Sequence, residues 1–320
     1  MAPPLRCDPS LFTQDLTGRT YVVTGGNSGI GQATVEQLAK QGARVVLACR
    51  RTAEGERVRD ELGRQPLRGS IQVLPLDLAS LASVRSFAAA VLAEHAALHG
   101  LVNNAGVMNT PAGRTVDGFE MQFGVNHLGH YLLTELLLPA LRRGAPSRVV
   151  NVSSCFHDKA VGREGHIDFE DLQFDRKPYD GWAAYAQSKL ANLLHARQLA
   201  RREQAHGVTA VSVHPGWVRS NLIQHSMPVW MQNAMAPLFR LVGMIEPKDG
   251  AQSTLYALLS PEVPALTGAY FSQRGFYRAM KYNVGGWPMQ SPNPEAHRDD
   301  VMERLDAVSR SLVGGDVSIG

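Results

Sequence analysis

The fold of this chain is decided by the stretch TGGNSGIG, which occupies residues 24–31. An apolar run at 20–24 leads into it and predicts a buried strand, and a segment at 30–41 with helical spacing of its apolar residues follows. A strand, a glycine-rich turn and a helix in this order present free backbone N–H groups to a phosphate at the helix N-terminus. The stretch therefore predicts a dinucleotide site, although glycine-rich turns also occur as ordinary connections.

Glycine is needed in this turn because a Cβ would block the approach of a pyrophosphate and resist the tight bend. The glycines at 25, 29 and 31 form a longer turn than the usual G-x-G-x-x-G motif. We assign six residues of the turn to the cofactor site: Gly25, Asn27, Ser28, Gly29, Ile30 and Gly31.

Predicted strands and helices alternate along most of the chain. Apolar runs predict strands at 20–24, 44–49, 71–75, 100–103, 147–152, 208–213 and 268–272. Helical spacing predicts helices near 30–41, 54–62, 82–95, 118–141, 182–205 and 248–259. Because the strand runs are continuously apolar, we expect burial on both faces. We predict an α/β fold, a Rossmann-type doubly wound parallel sheet with helices on both faces, formed by residues 1–320 as one domain.

The composition argues against several classes of protein. With 320 residues, of which 44% are hydrophobic, the chain can bury a large core. The net charge is only +3 and no basic block is interleaved with aromatic residues, which argues against nucleic-acid binding. Three scattered cysteines indicate neither a disulfide framework nor a metal site. We see no secretory signal and no apolar run long enough for a transmembrane segment, so we expect a soluble, cytoplasmic protein.

Two segments, at 155–180 and 221–245, interrupt the alternation. The first is polar and aromatic, whereas the second is rich in Met, Trp, Leu and Phe. Long excursions in compact domains are commonly lids or binding loops. For 221–245 we favour a lid over an apolar substrate. The alternatives are a helix pair packed on the core and a membrane-contact patch, which the lack of lysine argues against.

Tyr185 and Lys189 lie four residues apart in a segment with helical spacing, so both side chains leave the same helix face. An ammonium beside a phenol favours the phenolate and is expected to lower the tyrosine pKa. Such a tyrosine can move a proton on or off a hydroxyl or carbonyl oxygen. Ser154 follows the strand at 147–152 and is placed to bond the same oxygen. A chance pair on the helix and a serine cap at the strand end are the ordinary explanations.

Several motifs in this order resemble those of the short-chain dehydrogenase/reductases, along almost the whole chain. TGGNSGIG at 24–31 resembles the TGxxxGxG cofactor motif of that family. NNAG at 103–106 resembles the element after its fourth strand, and PGWVRS at 215–220 resembles its PGxVx[ST] turn. The resemblance places the catalytic tetrad at Asn126, Ser154, Tyr185 and Lys189.

The resemblance also implies a role for each of these residues. Tyr185 would be the acid–base, Ser154 would position the substrate, and Asn126 would support a water relay. Lys189 would hold the nicotinamide ribose and depress the tyrosine pKa. Further cofactor contacts are implied at Asp77, Leu78, Asn104, Ala105, Gly106, Tyr185, Lys189, Pro215, Gly216, Val218 and Ser220.

The end of the second predicted strand indicates the cofactor. NAD enzymes place an Asp or Glu about 20 residues beyond the glycine turn, where it accepts hydrogen bonds from the ribose 2′-hydroxyl. Here Arg50 and Arg51 follow the strand at 44–49, with no acid at that tip. Because a guanidinium suits a 2′-phosphate, we predict NADP(H). The alternative is that these arginines merely face solvent.

Within the family, the likeness is greatest to retinol dehydrogenase-like members, through LACRR at 47–51, FGVNHLGHYLLT at 123–134 and SKLANLLHARQLARR at 188–202. Such relatives often carry an N-terminal membrane anchor, which we do not expect in this chain. Helices at 118–141 and 182–205 form a dimer face in many relatives, so a homodimer is one expectation. We predict an NADP(H)-dependent oxidoreductase that acts on an apolar alcohol, aldehyde or ketone. The alternative is a dinucleotide-binding sensor or scaffold without turnover.

Overall fold

The computed structural model describes residues 3–218, 239, 243–274 and 284–314, with the backbone alone for residue 160. The strands in this part of the chain are short and mostly buried. They are β1 (Thr20–Thr24), β2 (Arg44–Cys49), β3 (Ser70–Pro75), β4 (Gly100–Asn103), β5 (Ser147–Val152), β6 (Lys159–Ala160), β7 (Arg163–Glu164), β8 (Val208–His214), β9 (Tyr270–Ser272) and β10 (Gly286–Met289).

Eight of these strands form one sheet, in the order β10-β9-β8-β5-β4-β1-β2-β3. All neighbouring strands are parallel except β10, which pairs antiparallel with β9. Strands β6 and β7 form a separate hairpin. From β1 the chain builds the sheet outward to β3, and from β4 it builds in the opposite direction. Ligands bind at such a switch point, beyond the C-terminal ends of the strands.

The helices cover both faces of the sheet. They are α1 (Gly29–Lys40), α2 (Thr52–Gly63), α3 (Leu81–Glu94), α5 (Gly181–Glu203), α6 (Pro247–Leu259) and α7 (Asp299–Leu312), together with α4, a continuous helix made of Met121–Phe123, a π-helical turn at Gly124–Leu128, and Gly129–Arg143. Polar side chains start several of them. The Asp180 carboxylate, for example, accepts from the backbone N–H groups of Trp182 and Ala183 at the start of α5.

The buried side chains divide into two cores, one on each face of the sheet. Helices α3, α4, α5 and α7 pack on one face, and α1, α2 and α6 on the other. Strand β1 contributes Val22 to the first core and Tyr21 and Val23 to the second, which is the alternation that a doubly covered strand requires. The predicted doubly wound α/β fold is confirmed.

Two elements of the sheet and its helices were not predicted, β10 and α7. Helix α7 lies over α4 and α5, where the Ser309 hydroxyl is 2.7 Å from Nε2 of His127 and the Tyr131 hydroxyl donates to the Asp306 carboxylate at 2.9 Å. Residues 184–196 of α5 are all buried within this single chain. Helix α7 therefore lies over part of the face that we expected to form a dimer, and the homodimer stays a prediction.

The segment 155–180 is folded against the rest of the chain. The Asp171 carboxylate accepts from the backbone N–H groups of Asp175 at 2.7 Å, Arg176 at 3.2 Å and Lys177 at 3.2 Å, which closes a compact loop. Most of the predicted lid at 221–245 lies outside the described residues. Among the helices that the structure describes, none is both long and apolar enough to span a bilayer.

Candidate active site

The glycine turn between β1 and α1 has the conformation that its sequence requires. Gly25 has a φ of +64° and Gly29 a φ of +55°, which side chains other than glycine rarely adopt. A Cβ on Gly31 would collide with the carbonyl oxygen of Gly25 and the side-chain amide of Asn104. The turn therefore folds back tightly on itself at the C-terminal end of β1.

The N-terminus of α1 suits a phosphate. Ser28 occupies the cap position in an extended conformation, and its side chain forms no capping hydrogen bond. The N–H groups of the first turn, including Gly29 and Ile30, therefore point out of the helix without a side-chain acceptor. They and the helix dipole favour an anion, so these residues fit the pyrophosphate of a dinucleotide.

The turn after β4 is attached to the glycine turn. The Thr24 hydroxyl accepts from the backbone N–H groups of Asn104 and Ala105, each at 2.9 Å. The Asn104 side-chain amide donates to the carbonyl of Thr24 at 2.8 Å. The predicted residues Asn104 and Ala105 thus lie directly beside Gly25, at the sheet's switch point.

Asp77 and Leu78 follow β3 at the same edge of the sheet. The Asp77 carboxylate accepts from the backbone N–H of Ala79 at 3.0 Å. The Leu78 side chain is buried in the core, and a Cβ on Gly129 of α4 would lie 2.7 Å from the Leu78 carbonyl oxygen. This loop therefore packs closely against the helix that carries Asn126.

The turn after β8 also reaches the glycine turn. Gly216 has a φ of +88°, and Trp217 accepts a backbone hydrogen bond from Ile245 at 2.8 Å. At Gly250 of α6, an added Cβ would meet Val218, Ile30 and the carbonyl of Pro215. The predicted Pro215 and Val218 thus lie near Ile30, and Gly216 packs against Gln273 and Ile245, whereas Ser220 lies outside the described residues.

The arginines after β2 differ in their surroundings. Arg51 forms an ion pair with Glu54, with Nε 2.9 Å from the carboxylate, and Asn27 donates to the same carboxylate at 3.0 Å. Our prediction had found no acid at the tip of β2. The structure corrects this prediction, because Glu54 in the first turn of α2 lies beside Arg51 at the end of β2. Arg50 is exposed, and no ion pair to it is formed within the described ranges.

The two serines after β5 have different partners. The Ser153 hydroxyl donates to the backbone carbonyl of Lys189 at 2.7 Å, so Ser153 attaches the strand to α5. The Ser154 hydroxyl accepts from the N–H of Phe156 at 3.2 Å and lies near Tyr185, whose pKa it lowers. Ser154 thus caps the turn at Cys155–His157, as one of our two interpretations held, and also lies beside the predicted acid–base.

Tyr185 lies in an aromatic environment, with only 3% of its surface exposed. The ring of Phe156 is 6.1 Å from that of Tyr185 and 5.6 Å from that of Trp182, both edge-on. Burial raises the pKa of the Tyr185 hydroxyl above its usual range, while the nearby Ser154 side chain lowers it. Burial has the larger effect, so Tyr185 is a neutral phenol that can donate a proton.

Lys189 is buried one helical turn after Tyr185. Its Nζ is 5.6 Å from the centre of the Tyr185 ring and donates to the Val152 carbonyl at 3.0 Å. Burial lowers the pKa of Lys189 to about 8. We expected Lys189 to lower the pKa of Tyr185. In the protein alone burial raises that pKa because it disfavours the phenolate, and the lowering by Lys189 stays a prediction.

Asn126 lies in the π-helical turn of α4, a feature frequent at functional sites. Its side-chain amide donates to the Val107 carbonyl and to the Ser188 hydroxyl, both at 2.9 Å. A Cβ on Gly106 would lie 3.0 Å from Asn126 Oδ1 and 3.5 Å from Lys189 Nζ. Asn126, Gly106 and Lys189 therefore meet at one point.

The two histidines of the segment 155–180 differ in burial. His157 is buried, with Nε2 2.6 Å from the Ser291 hydroxyl and its ring 5.0 Å from that of Tyr270. His166 is largely exposed and pairs with Glu295. The partners of His157 are distant in sequence, so no local pattern could have indicated its burial.

Comparison with known proteins agrees with this geometry. A family model described as short chain dehydrogenase matches residues 19–164. Human Retinol dehydrogenase 13 is 41% identical over 302 residues, which cover 93% of this chain and 86% of that protein. Human Retinol dehydrogenase 11 is 48% identical over 263 residues, covering 81% of this chain and 79% of that protein.

Solved structures share the fold. An uncharacterised protein from Mycobacterium paratuberculosis matches with a TM-score of 0.73 and 35% identity, over 94% of this chain and 95% of that one. The RhlG/NADP active-site complex from Pseudomonas aeruginosa matches with a TM-score of 0.64 and 27% identity, over 83% of this chain and 97% of that one.

Proposed function

The chain belongs to the short-chain dehydrogenase/reductase family of hydride-transferring oxidoreductases, and we propose that it uses NADP(H) on an apolar alcohol, aldehyde or ketone. The observation that carries the proposal is the convergence of three side chains: Ser154 lies beside Tyr185 and lowers the pKa of its hydroxyl, and Lys189 Nζ is 5.6 Å from the centre of the tyrosine ring. A sensor or scaffold would need the phosphate cradle but not these three side chains together. We therefore favour an enzyme over a binding protein.

The nicotinamide, when bound, supplies or accepts the hydride. In reduction, Tyr185 gives its hydroxyl proton to the carbonyl oxygen, and Ser154 bonds the same oxygen as negative charge develops there. The raised pKa of Tyr185 keeps it protonated for this step. In oxidation, Tyr185 takes the proton of the alcohol, and the nearby ammonium of Lys189 stabilises the phenolate.

The choice of NADP(H) rests on Arg50 and Arg51. Both are exposed at the C-terminal end of β2, the strand next to the glycine turn. A 2′-phosphate beside this turn would meet two guanidinium groups, which bind phosphate with paired hydrogen bonds. Arg51 is already paired with Glu54. The preference for NADP(H) over NAD(H) therefore depends chiefly on Arg50.

An apolar substrate is supported by the rings beside Tyr185. Phe156 and Trp182 are both partly exposed and flank the tyrosine, so the approach to its hydroxyl is aromatic. The relatives named retinol dehydrogenases carry a name for a long apolar alcohol, which fits such an approach. We include retinol and retinal among the candidate substrates for this reason.

A cytoplasmic location is also part of the proposal. Cys7, Cys49 and Cys155 are all free thiols, which suits a reducing compartment. Fractionation of cells that express the tagged chain would test the location. Recovery in the membrane pellet would contradict it.

Turnover of purified protein tests the function. We expect NADPH-dependent reduction of apolar aldehydes and ketones, retinal among them, with far lower rates on short polar ones. NADH should support slower turnover than NADPH at equal concentration. Binding of NADPH without turnover in either direction across the panel would favour the sensor instead. Turnover restricted to polar substrates would contradict the apolar assignment.

A further inference from the structure

His130 is a buried histidine whose two ring nitrogens both have partners. It lies on α4, with 2% of its surface exposed. Nε2 is 2.9 Å from the hydroxyl of Thr24, and Nδ1 is 3.0 Å from the backbone carbonyl oxygen of Asn126. One side chain thus connects the residue before the glycine turn with the residue at the predicted water relay.

The partners of His130 fix its tautomer. The Asn126 carbonyl can only accept, so Nδ1 carries the proton. Burial lowers the pKa of His130 to about 4, so the ring is neutral and Nε2 accepts from the Thr24 hydroxyl. That hydroxyl also accepts from the N–H groups of Asn104 and Ala105, which uses its full hydrogen-bonding capacity.

Each end of this connection lies at a functional element. Thr24 begins the glycine turn, and the Asn104 side chain donates a hydrogen bond to its backbone carbonyl. Asn126 donates to Ser188, whose hydroxyl donates to the backbone carbonyl of Tyr185 at 2.8 Å. The path Thr24–His130–Asn126–Ser188 therefore joins the cofactor turn to the helix of the acid–base through hydrogen bonds alone.

We propose that His130 is a positioning residue, whose Nδ1–H holds the Asn126 carbonyl in place relative to the cofactor turn. The inference rests on the proposed function, since it concerns the same reaction. The Asn126 end of the connection is the critical one. Without His130, Thr24 can still donate to the Val102 carbonyl at 3.3 Å, whereas the Asn126 carbonyl loses this donor.

Two amide substitutions separate the two ends. His130→Asn keeps a donor at the position of Nδ1, and His130→Gln keeps a polar atom at the position of Nε2. We expect His130→Asn to keep kcat within about threefold of wild type, whereas His130→Gln lowers kcat by about tenfold or more. In both variants the Kd for NADPH, measured by quenching of protein fluorescence, should change by less than about threefold.

His127 provides the matched control. It is also a buried histidine of α4, but it contacts Ser309 of α7 rather than the site. His127→Gln should keep kcat within about threefold and lower Tm alone. Equal losses of kcat in His130→Asn and His130→Gln would overturn the proposal, as would full activity of His130→Gln.

Amide hydrogen exchange gives a test that needs no turnover. In the protein without cofactor, residues 124–131 should exchange faster in His130→Gln than in wild type, and His130→Asn should match wild type. If wild type has no activity on any substrate, the proposed function fails and exchange alone decides this inference. Equal exchange in all three proteins would overturn it.

Discussion

The ammonium of Lys189 donates a hydrogen bond to the backbone carbonyl of Val152 over 3.0 Å. This bond attaches α5 to the end of β5, two residues before Ser154. The Ser153 hydroxyl makes a second attachment, to the carbonyl of Lys189 at 2.7 Å. Together they fix how far Ser154 lies from Tyr185.

Replacing Lys189 with Met removes both the charge beside Tyr185 and the hydrogen bond to Val152. We expect kcat to fall by about 100-fold or more, because the charge beside Tyr185 is lost. Stability should change little, because methionine avoids the cost of burying an ammonium whose pKa burial lowers to about 8. Initial rates and Tm measure the two effects. Lys248→Met, at an exposed lysine, is the control, and a kcat for Lys189→Met within about threefold of wild type would contradict the role.

Arg50→Asp tests the cofactor preference. We expect the Kd for NADPH to rise by about tenfold or more, because a carboxylate would repel the 2′-phosphate and the guanidinium is lost. The Kd for NADH should stay the same or fall. Arg57→Asp makes the same charge change on the exposed side of α2 and should leave both constants unchanged. Equal weakening of both nucleotides by Arg50→Asp would refute the argument.

Arg202 of α5 stabilises two buried carboxylates. It pairs with Glu135 and Glu203, whose side chains are 2% and 0% exposed. Arg202→Met leaves buried carboxylates with fewer partners and should lower the free energy of unfolding by about 3–5 kcal/mol. The neighbouring Arg201 pairs with Glu303 on the surface, so Arg201→Met should cost less than about 1 kcal/mol. Urea denaturation compares the two variants, and similar losses would be inconsistent with this assignment.

Buried histidines should make the protein less stable in mild acid. Burial lowers the pKa of His130 and His157 to about 4 and that of His195 and His214 to about 3. In the unfolded chain these groups take up protons below about pH 6.5. The free energy of unfolding should therefore be greatest above about pH 6.5. It should decrease as the pH falls toward about 4, because protons then bind to the unfolded chain and not to the buried histidines. Urea denaturation between pH 7.5 and 5 measures this, and equal stability across that range would contradict it.

Much of the fold and of the site could be predicted because the relevant patterns are local. The glycine turn, the strand runs and the four-residue spacing of Tyr185 and Lys189 each lie within one or two adjacent elements. Helix α7 was missed although its buried residues Val301, Met302 and Leu305 follow a helical spacing. Its acidic first turn, with Asp299 and Asp300, was a further signal.

The rest depends on contacts between distant parts of the chain. The position of Glu54 beside Arg51 and Asn27 follows from where α2 begins, although its spacing of three from Arg51 was visible. Ser153 and Ser154 are adjacent but have different partners, because β5 ends at this point. Ser153 bonds to α5, whereas Ser154 caps the turn at Cys155–His157. The contact of His130 with Thr24 requires the packing of α4 against β1, which no local spacing indicates.

Turnover by Tyr185→Phe tests the central claim most directly. The variant keeps the ring between Phe156 and Lys189 and removes only the hydroxyl, whose pKa Ser154 lowers. We predict a fall in kcat of about 1,000-fold or more, with the Kd for NADPH within about threefold of wild type. A kcat equal to that of wild type would contradict the assignment of Tyr185 as the acid–base.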